Sequence, residues 1–491
     1  MKKGQILIQS LLLSALAVVL LTVLVNVALF NLTEMSRSFY SEQSFQIAEA
    51  GVEYYRWHLA HAPGDFTNGT GGPGPYEVDY FDKNGTKIGK FVLIITPPLI
   101  GSTAVTIRST GIVDLEPVAA RTIEVIYGIP SIAKYATVAN DVMRFGQGTD
   151  VYGEIHSNDG IRFDGTAYNI VRSAKTQYDD LDHTGGNEHA VHTHRDPPPA
   201  TTVNENFRPL EAPPNIVQTR LDIFKAGREF PVPAIDFTGF TADLAQIKAD
   251  AQANGLYFAD SGFLGYEIVL NTNDTISVAR VQSLLPPPSS GCTNTLGESG
   301  WGTWSVQATT SVGTYPIPAN GLVFIEDHVW VSGKINTARI TIAAGKFPEN
   351  PSTNKSITIN NNLEYTNFDG NDTIGLIAQE NVNIGLFSAN DLQIHAALIA
   401  KNGRVGRYYY RQQAPPNTRC GPNALRYEVT LHGMIATNKR YGFSWSCSGI
   451  YCSGYNNRII RYDGNLLYSP PPSFPLTADE YELVSWKEVK K

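Results

Sequence analysis

Between Gly4 and Thr33 the chain has no charged side chain, and between Gln5 and Ala62 it has no proline and a single glycine, Gly51. The first absence removes the main cost of entering lipid, and the second removes the residues that stop a helix. Thirty residues rising about 1.5 Å each span roughly 45 Å, more than the ~30 Å hydrocarbon core of a bilayer. Lys2 and Lys3 precede the run and Glu34 is the first acid after it. The start is therefore predicted to face the cytoplasm, with the remaining ~450 residues outside. Ala15-Leu16-Ala17 offers a signal-peptidase site, but the apolar run continues to Phe30, so cleavage there would fall inside the membrane.

Charge is scarce elsewhere too, at 17% of 491 residues, and no stripe of lysine and arginine occurs. With a formal charge of −8, which becomes −10 without the two leader lysines, nucleic acid is excluded as the main partner. Cysteine is limited to Cys292, Cys420, Cys447 and Cys452. Cys447 and Cys452 flank a four-residue loop, so a local bridge is the simplest pairing and leaves Cys292 with Cys420, among three possible connectivities. An oxidising compartment is the premise of that reading. Zinc is the weaker alternative, because the four do not form two C-x2-C pairs.

What is abundant is glycine (43) and proline (29), with 24 tyrosines and 21 phenylalanines, the profile of a turn-rich extracellular β protein of two or three domains. Beyond the apolar run, Phe45, Ala48, Val52, Tyr55 and Leu59 recur at 3, 4, 3, 4 spacing and form one apolar stripe on a helix that continues to residue 62. Runs Tyr76–Phe81, Ile88–Thr96, Ala104–Leu115 and Ala120–Tyr127, the first two joined through Asn84-Gly85, predict an antiparallel meander that covers this stripe.

A basic leader ending in Gly4, a long apolar helix and an amphipathic continuation resemble the class III signal and helix of type IV pilins. Phe45-Gln46-Ile47-Ala48-Glu49-Ala50-Gly51-Val52-Glu53 resembles the AEAG region of PilX-like minor pilins. The resemblance implies cleavage after Gly4 and methylation of the new amine of Gln5. Two positions depart from the pattern: Gln5 stands where phenylalanine or methionine is usual, and Gln9 where glutamate is usual. An amide enters lipid more easily than a carboxylate but does not neutralise a neighbouring subunit's amine.

Segment 131–290 is expected to be β-rich, with short runs Val142–Phe145, Val151–Ile155, Ile161–Phe163 and Tyr168–Val171. It carries one inserted helix, 241–253, with Thr241 as N-cap and Leu244, Ile247 and Ala251 on its apolar face. Asn158-Asp159-Gly160 reads as a turn, with His156 hydrogen-bonded beside it rather than catalytic. The stretch from Asp179 to Asp196, with His183, Glu188, His189, His192 and His194, reads as a solvated loop, because Gly185-Gly186 and three prolines at 197–199 flank it. The weaker reading makes His183, His189, His192 and His194 metal ligands.

From 291 to 491, short apolar runs (Leu322–Ile325, Val329–Val331, Ile340–Ile342, Ile357–Ile359, Ile374–Ile377, Val382–Ile384, Leu392–Ile399, Tyr427–Leu431) predict a parallel β-helix or similar coil of rungs, with a β-sandwich as the alternative. His395 and His432 read as core histidines. Asp369, Asp372, Glu380 and Asp391 read as turn residues. Arg404, Arg407, Tyr408, Tyr409, Tyr410 and Arg411 form either a basic aromatic patch for sugar or a partner, or a strand packed against a neighbouring loop. The runs 375–382, 394–400 and 431–435, with 470–475 and 486–489, resemble uncharacterised exported bacterial β domains, which carry no known catalytic residues.

The expected whole is an α+β, predominantly β protein divided as leader 1–4, helix 5–62, meander 63–130, β segment 131–290 and β-helix-like domain 291–491. Its expected role is that of a minor-pilin or pseudopilin-like surface protein with a structural or adhesive task, no cofactor and no enzymatic activity. Its expected partners are other pilin-like subunits, the pilus assembly machinery, the membrane through residues 5–33 and a surface glycan. The expected place is the bacterial cytoplasmic membrane, single-pass with an extracytoplasmic C-terminal part, or an extracellular pilus or pseudopilus. The alternative is a membrane-anchored carbohydrate-binding or carbohydrate-active protein.

Overall fold

A computed structural model describes residues 2–200, 202–237, 243–292, 302–410, 419–447 and 450–490. The chain forms two compact units: Met1–Pro98 with Ala104–Ile129 and Glu480–Lys491, and Leu99–Thr103 with Pro130–Asp479. Segments 131–290 and 291–491 thus fall largely in one unit.

In the first unit one helix, α1, runs unbroken over Lys2–His61. Strands β1 (Tyr76–Phe81), β2 (Lys87–Thr96), β3 (Val105–Val113) and β4 (Arg121–Gly128) follow as an antiparallel meander. The C-terminal strand Glu482–Val489 pairs antiparallel with β4 and makes the sheet five-stranded. Ile47, Ala48, Val52, Tyr55 and Leu59 of α1 are buried in one cluster with Phe91, Leu93, Ile107, Ile123 and Val125. Phe45, at the edge of the stripe, is only partly buried. The helix lies close because Gly111 has no side chain: a Cβ there would sit 1.9 Å from the Ser44 carbonyl oxygen.

The second unit is a parallel coil, and each rung supplies short strands to three ladders. In order along the first ladder lie Leu256–Phe258, Leu322–Ile325, Arg339–Ala344, Thr373–Ala378, residues 397–400 and residues 434–437. Thr137–Ala139, Ile155–Ser157, Val171–Ser173 and Arg228–Glu229 continue it. Every neighbouring pair in this ladder is parallel, unlike the antiparallel sheets of a sandwich, whereas Gly265–Asn271, Thr275–Leu284 and Val306–Pro316 of the same unit pair antiparallel.

Ladder order differs from chain order. The chain enters mid-ladder at 137–139, coils one way to 228–229, and re-enters at the far end at 256–258 after helix α2 (Leu244–Asn254). It then coils back until 435–437 pairs with 137–139.

First-ladder strands read as continuous apolar runs because both faces are buried. Ile342, Ala344, Leu376, Ala378, Leu398 and Ala400 face the coil interior, while Ala343, Ile377, Ala397 and Ile399 face outward into a second cluster. That cluster also contains Leu244, Ile247 and Ala251, the apolar face of α2. The cap of α2 is Asp243, whose side chain accepts from Ala245 N and Gln246 N at 3.0 and 3.1 Å. Thr241, the expected cap, lies outside the described residues.

Candidate functional site

Two features stand out from the scaffold. The first is the N-terminal half of α1: the apolar segment from Gln5 has the length and composition to cross a membrane, with a mean hydropathy of 2.7 over its most apolar window. Ile6, Leu12, Leu20, Val27 and Phe30 are each more than half exposed. The hydroxyls of Ser10, Ser14, Thr22 and Thr33 donate to helix carbonyls three or four residues earlier, at 2.8–3.0 Å. Those polar groups are therefore satisfied without water, as a lipid environment requires. Gly4, Gln5 and Gln9 all lie within this helix.

The second feature is a buried cluster on the outer face of a three-stranded parallel sheet within the coil, Met143–Phe145, Ile161–Phe163 and Val191–His192. Strand alternation sends Met143, Phe145, Ile161, Phe163 and Val191 into the coil interior. Arg144, Arg162 and His192 stand in register on the other face. Gln177–Tyr178 pairs antiparallel with Glu188–His189 and brings Asp180, His183 and Glu188 to that face. Gly185 permits the fold-back, since a Cβ there would sit 2.5 Å from Phe207 Cβ.

Three ring nitrogens converge on one carboxylate oxygen. His183 Nε2, His192 Nε2 and His194 Nε2 lie 2.9, 3.0 and 3.0 Å from Glu188 Oε2, and the side chains of Glu188, His192 and His194 have no exposure. Asp180 Oδ2 is 3.8 Å from His192 Nε2 and 3.7 Å from Arg162 Nη1. Arg162, itself buried, donates from Nε to Asp164 Oδ2 at 2.8 Å and from Nη2 to Glu205 Oε2 at 3.2 Å. Asp164 Oδ1 in turn accepts from His194 N at 2.7 Å, and Glu188 Oε1 accepts from Arg208 N at 2.9 Å.

Burial alone would push the Glu188 and Asp180 carboxyls up, but the rings of His192 and His194 against Glu188, and His192 and Arg162 against Asp180, hold both well below the usual range. Burial works against a charged His192, and the same two carboxylates overcome it, pushing the ring up to about 9.

This corrects the reading of the stretch as a solvated loop. Asp180, Glu188, His192 and His194 are buried because the loop folds onto a sheet face. His189 is buried but apart, with Nε2 3.0 Å from the Asn215 carbonyl oxygen.

Of the two readings of the aromatic stretch, burial favours the packed one. Arg407 and Tyr410 are fully buried and Tyr408 and Tyr409 nearly so, so they offer no open surface to sugar or partner. Arg407 is spent on the carbonyls of Leu386, Asn423 and Ala424, and Tyr409 packs edge-on against Trp445. Arg411 lies outside the described residues. An open cleft of about 650 Å³ lies nearby, lined among others by Arg144, Arg404, Arg440, Trp445 and Tyr451.

Cys292 is bonded to Cys420 and Cys447 to Cys452. His156 is buried and sits 3.2 Å from Asn158 Oδ1. His395 and His432 are partners on adjacent rungs, 5.9 Å apart between ring centroids. Burial, with the neighbouring His432 ring, pushes His395 down to about 4. Asp372 is buried and accepts backbone N–H groups from Thr337, Ala338, Thr366 and Asn367.

No protein-family model and no curated protein sequence matches the chain. Among solved structures, the competence-associated pilin ComZ from Thermus thermophilus aligns over 92% of this chain and 97% of its own, at 15% identity and a TM-score of 0.33.

Proposed function

We propose that this chain is a pilin-like surface protein of the minor-pilin or pseudopilin kind. The first half of α1 anchors it in the bacterial cytoplasmic membrane and packs among the helices of other subunits in a type IV pilus-type assembly. The coil unit stands on the extracytoplasmic side in a structural or adhesive role, and the chain is not an enzyme. The observation that carries this reading is the division within one unbroken helix: an apolar half without neighbours in its own unit, and a second half sealed against a meander. Exposed apolar surface on that scale is stable only in lipid or against other subunits.

The test is intact mass and N-terminal sequencing of the protein recovered from membranes of cells with and without a prepilin peptidase. A chain beginning at methylated Gln5 only when the peptidase is present is the expected result. An uncut Met1 chain in both would leave a simple anchor and overturn the pilin reading.

A second reading, a membrane-anchored glycan binder, draws on the cleft beside Trp445, whose arginines and aromatic rings suit a charged sugar. It calls for polysaccharide binding that Trp445→Ala abolishes.

A further inference from the structure

We infer that Glu188, His192 and His194, with Asp180 and His183 beside them, bind a divalent first-row transition-metal ion that pins residues 177–208 to the outer face of the coil. Ligand atoms of Asp180, Glu188, His192 and His194 all lie within 4.8 Å of one another, and all four residues are buried. His183 adds a fifth donor, with Nε2 2.9 Å from Glu188 Oε2.

The second ring nitrogens make the case for a cation. His192 Nδ1 faces the His189 carbonyl oxygen at 3.1 Å and His194 Nδ1 faces that of Asn204 at 2.8 Å. A carbonyl only accepts, so each Nδ1 carries the proton, and a ring whose Nε2 proton is displaced by a metal ion offers the Nε2 lone pair to it. Both lone pairs are directed into the space beside the anionic Glu188. Metal-bound histidines have this arrangement, with the far nitrogen donating to a backbone carbonyl and fixing the tautomer.

His192 Nε2, though 3.0 Å from Glu188 Oε2, makes no hydrogen bond, and Asp180 Oδ2 and Arg162 Nη1 make none either. Glu188 Oε2 has three ring nitrogens within 3.0 Å, more than its lone pairs serve as a hydrogen-bond acceptor. Ligand atoms about 2.8–3.4 Å apart are what metal–ligand bonds of about 2.0–2.1 Å produce at octahedral to tetrahedral angles.

Imidazole donors select the metal class. Calcium and magnesium take oxygen ligands, whereas histidine with carboxylate suits zinc and its first-row neighbours. Two buried carboxylates supply the charge that offsets a divalent ion. A cavity of about 330 Å³, lined among others by Arg144, Arg162, Tyr178 and Arg440, adjoins the cluster at Asp180.

The experiment uses the full-length chain in detergent micelles, purified without a polyhistidine tag, with metal content measured before and after chelation and Zn2+ or Ca2+ added back. About one zinc equivalent per chain is expected, with melting lowered by roughly 5 °C on chelation and restored by zinc but not calcium. Co2+ in place of zinc should give visible d–d absorption. His194→Gln should weaken zinc binding at least ~10-fold and remove the cobalt bands. His189→Gln, whose ring lies outside the cluster, should leave both unchanged.

If His194→Gln does not fold, the wild-type titration decides alone. Absence of bound metal together with no zinc-dependent shift in melting would mean that protons fill the cluster, and would overturn the inference. Zinc retained undiminished by a folded His194→Gln would also overturn it.

Discussion

Two outer faces of one coil are covered in opposite ways. Over the first ladder, Ala343, Ile377, Ala397 and Ile399 share one buried apolar cluster with Leu244, Ile247 and Ala251 of α2. Over the sheet at 143–145, 161–163 and 191–192, Arg144, Arg162 and His192 meet Asp180, Asp182, Glu188 and Glu205 from a folded-back segment. Apolar cover is non-directional and tolerates small errors of position. Polar cover is favourable only when each buried charge has its partners, so it specifies one arrangement and fails abruptly when a member is lost.

The largest expected effect tests that abruptness. Arg162→Met keeps roughly the volume but leaves Asp164 without its ion-pair partner and Asp180 without its nearest cation; it should cost about 3–5 kcal/mol. Urea unfolding followed by tryptophan fluorescence, with limited proteolysis of residues 177–208, reads both stability and the release of the segment. A change below 1 kcal/mol would show that the polar face does not depend on its full set of charge partners.

On the other face, Ile377→Ala should cost about 2–4 kcal/mol through the cavity left under the cover. Unlike the polar face, it should do so equally with chelator or with zinc, and a metal-dependent cost would break the contrast. The smallest effect sharpens it. Asp243→Ala removes the cap of α2 and should cost about 1 kcal/mol while leaving proteolysis at 177–208 unchanged.

The apolar face was legible in the residues. Its runs are continuous because both sides of the ladder are buried, and the positions of Leu244, Ile247 and Ala251 show which side of α2 points inward. The polar face was not. His192 and His194 stand in a stretch rich in turn residues, and nothing local shows that Arg162, thirty positions earlier, is the register partner of His192. Gly185 looks like flexibility in the sequence, but it marks close packing against Phe207. Arg407 and its three tyrosines have the composition of a binding surface, yet the carbonyls of Leu386, Asn423 and Ala424 claim the guanidinium.

By itself the sequence determined whatever depends on neighbours a few residues away. That covers the uninterrupted helix from Lys2 to His61, its apolar stripe, the meander hairpin at Asn84-Gly85, and the run lengths of the coil strands. Tertiary structure alone decided what depends on distant pairing: the C-terminal strand on the meander, the closing of 435–437 onto 137–139, and the meeting of His192, His194 and Glu188 over Arg162. Local propensity is summed along the chain, whereas ladder register is selected by the burial of whole faces.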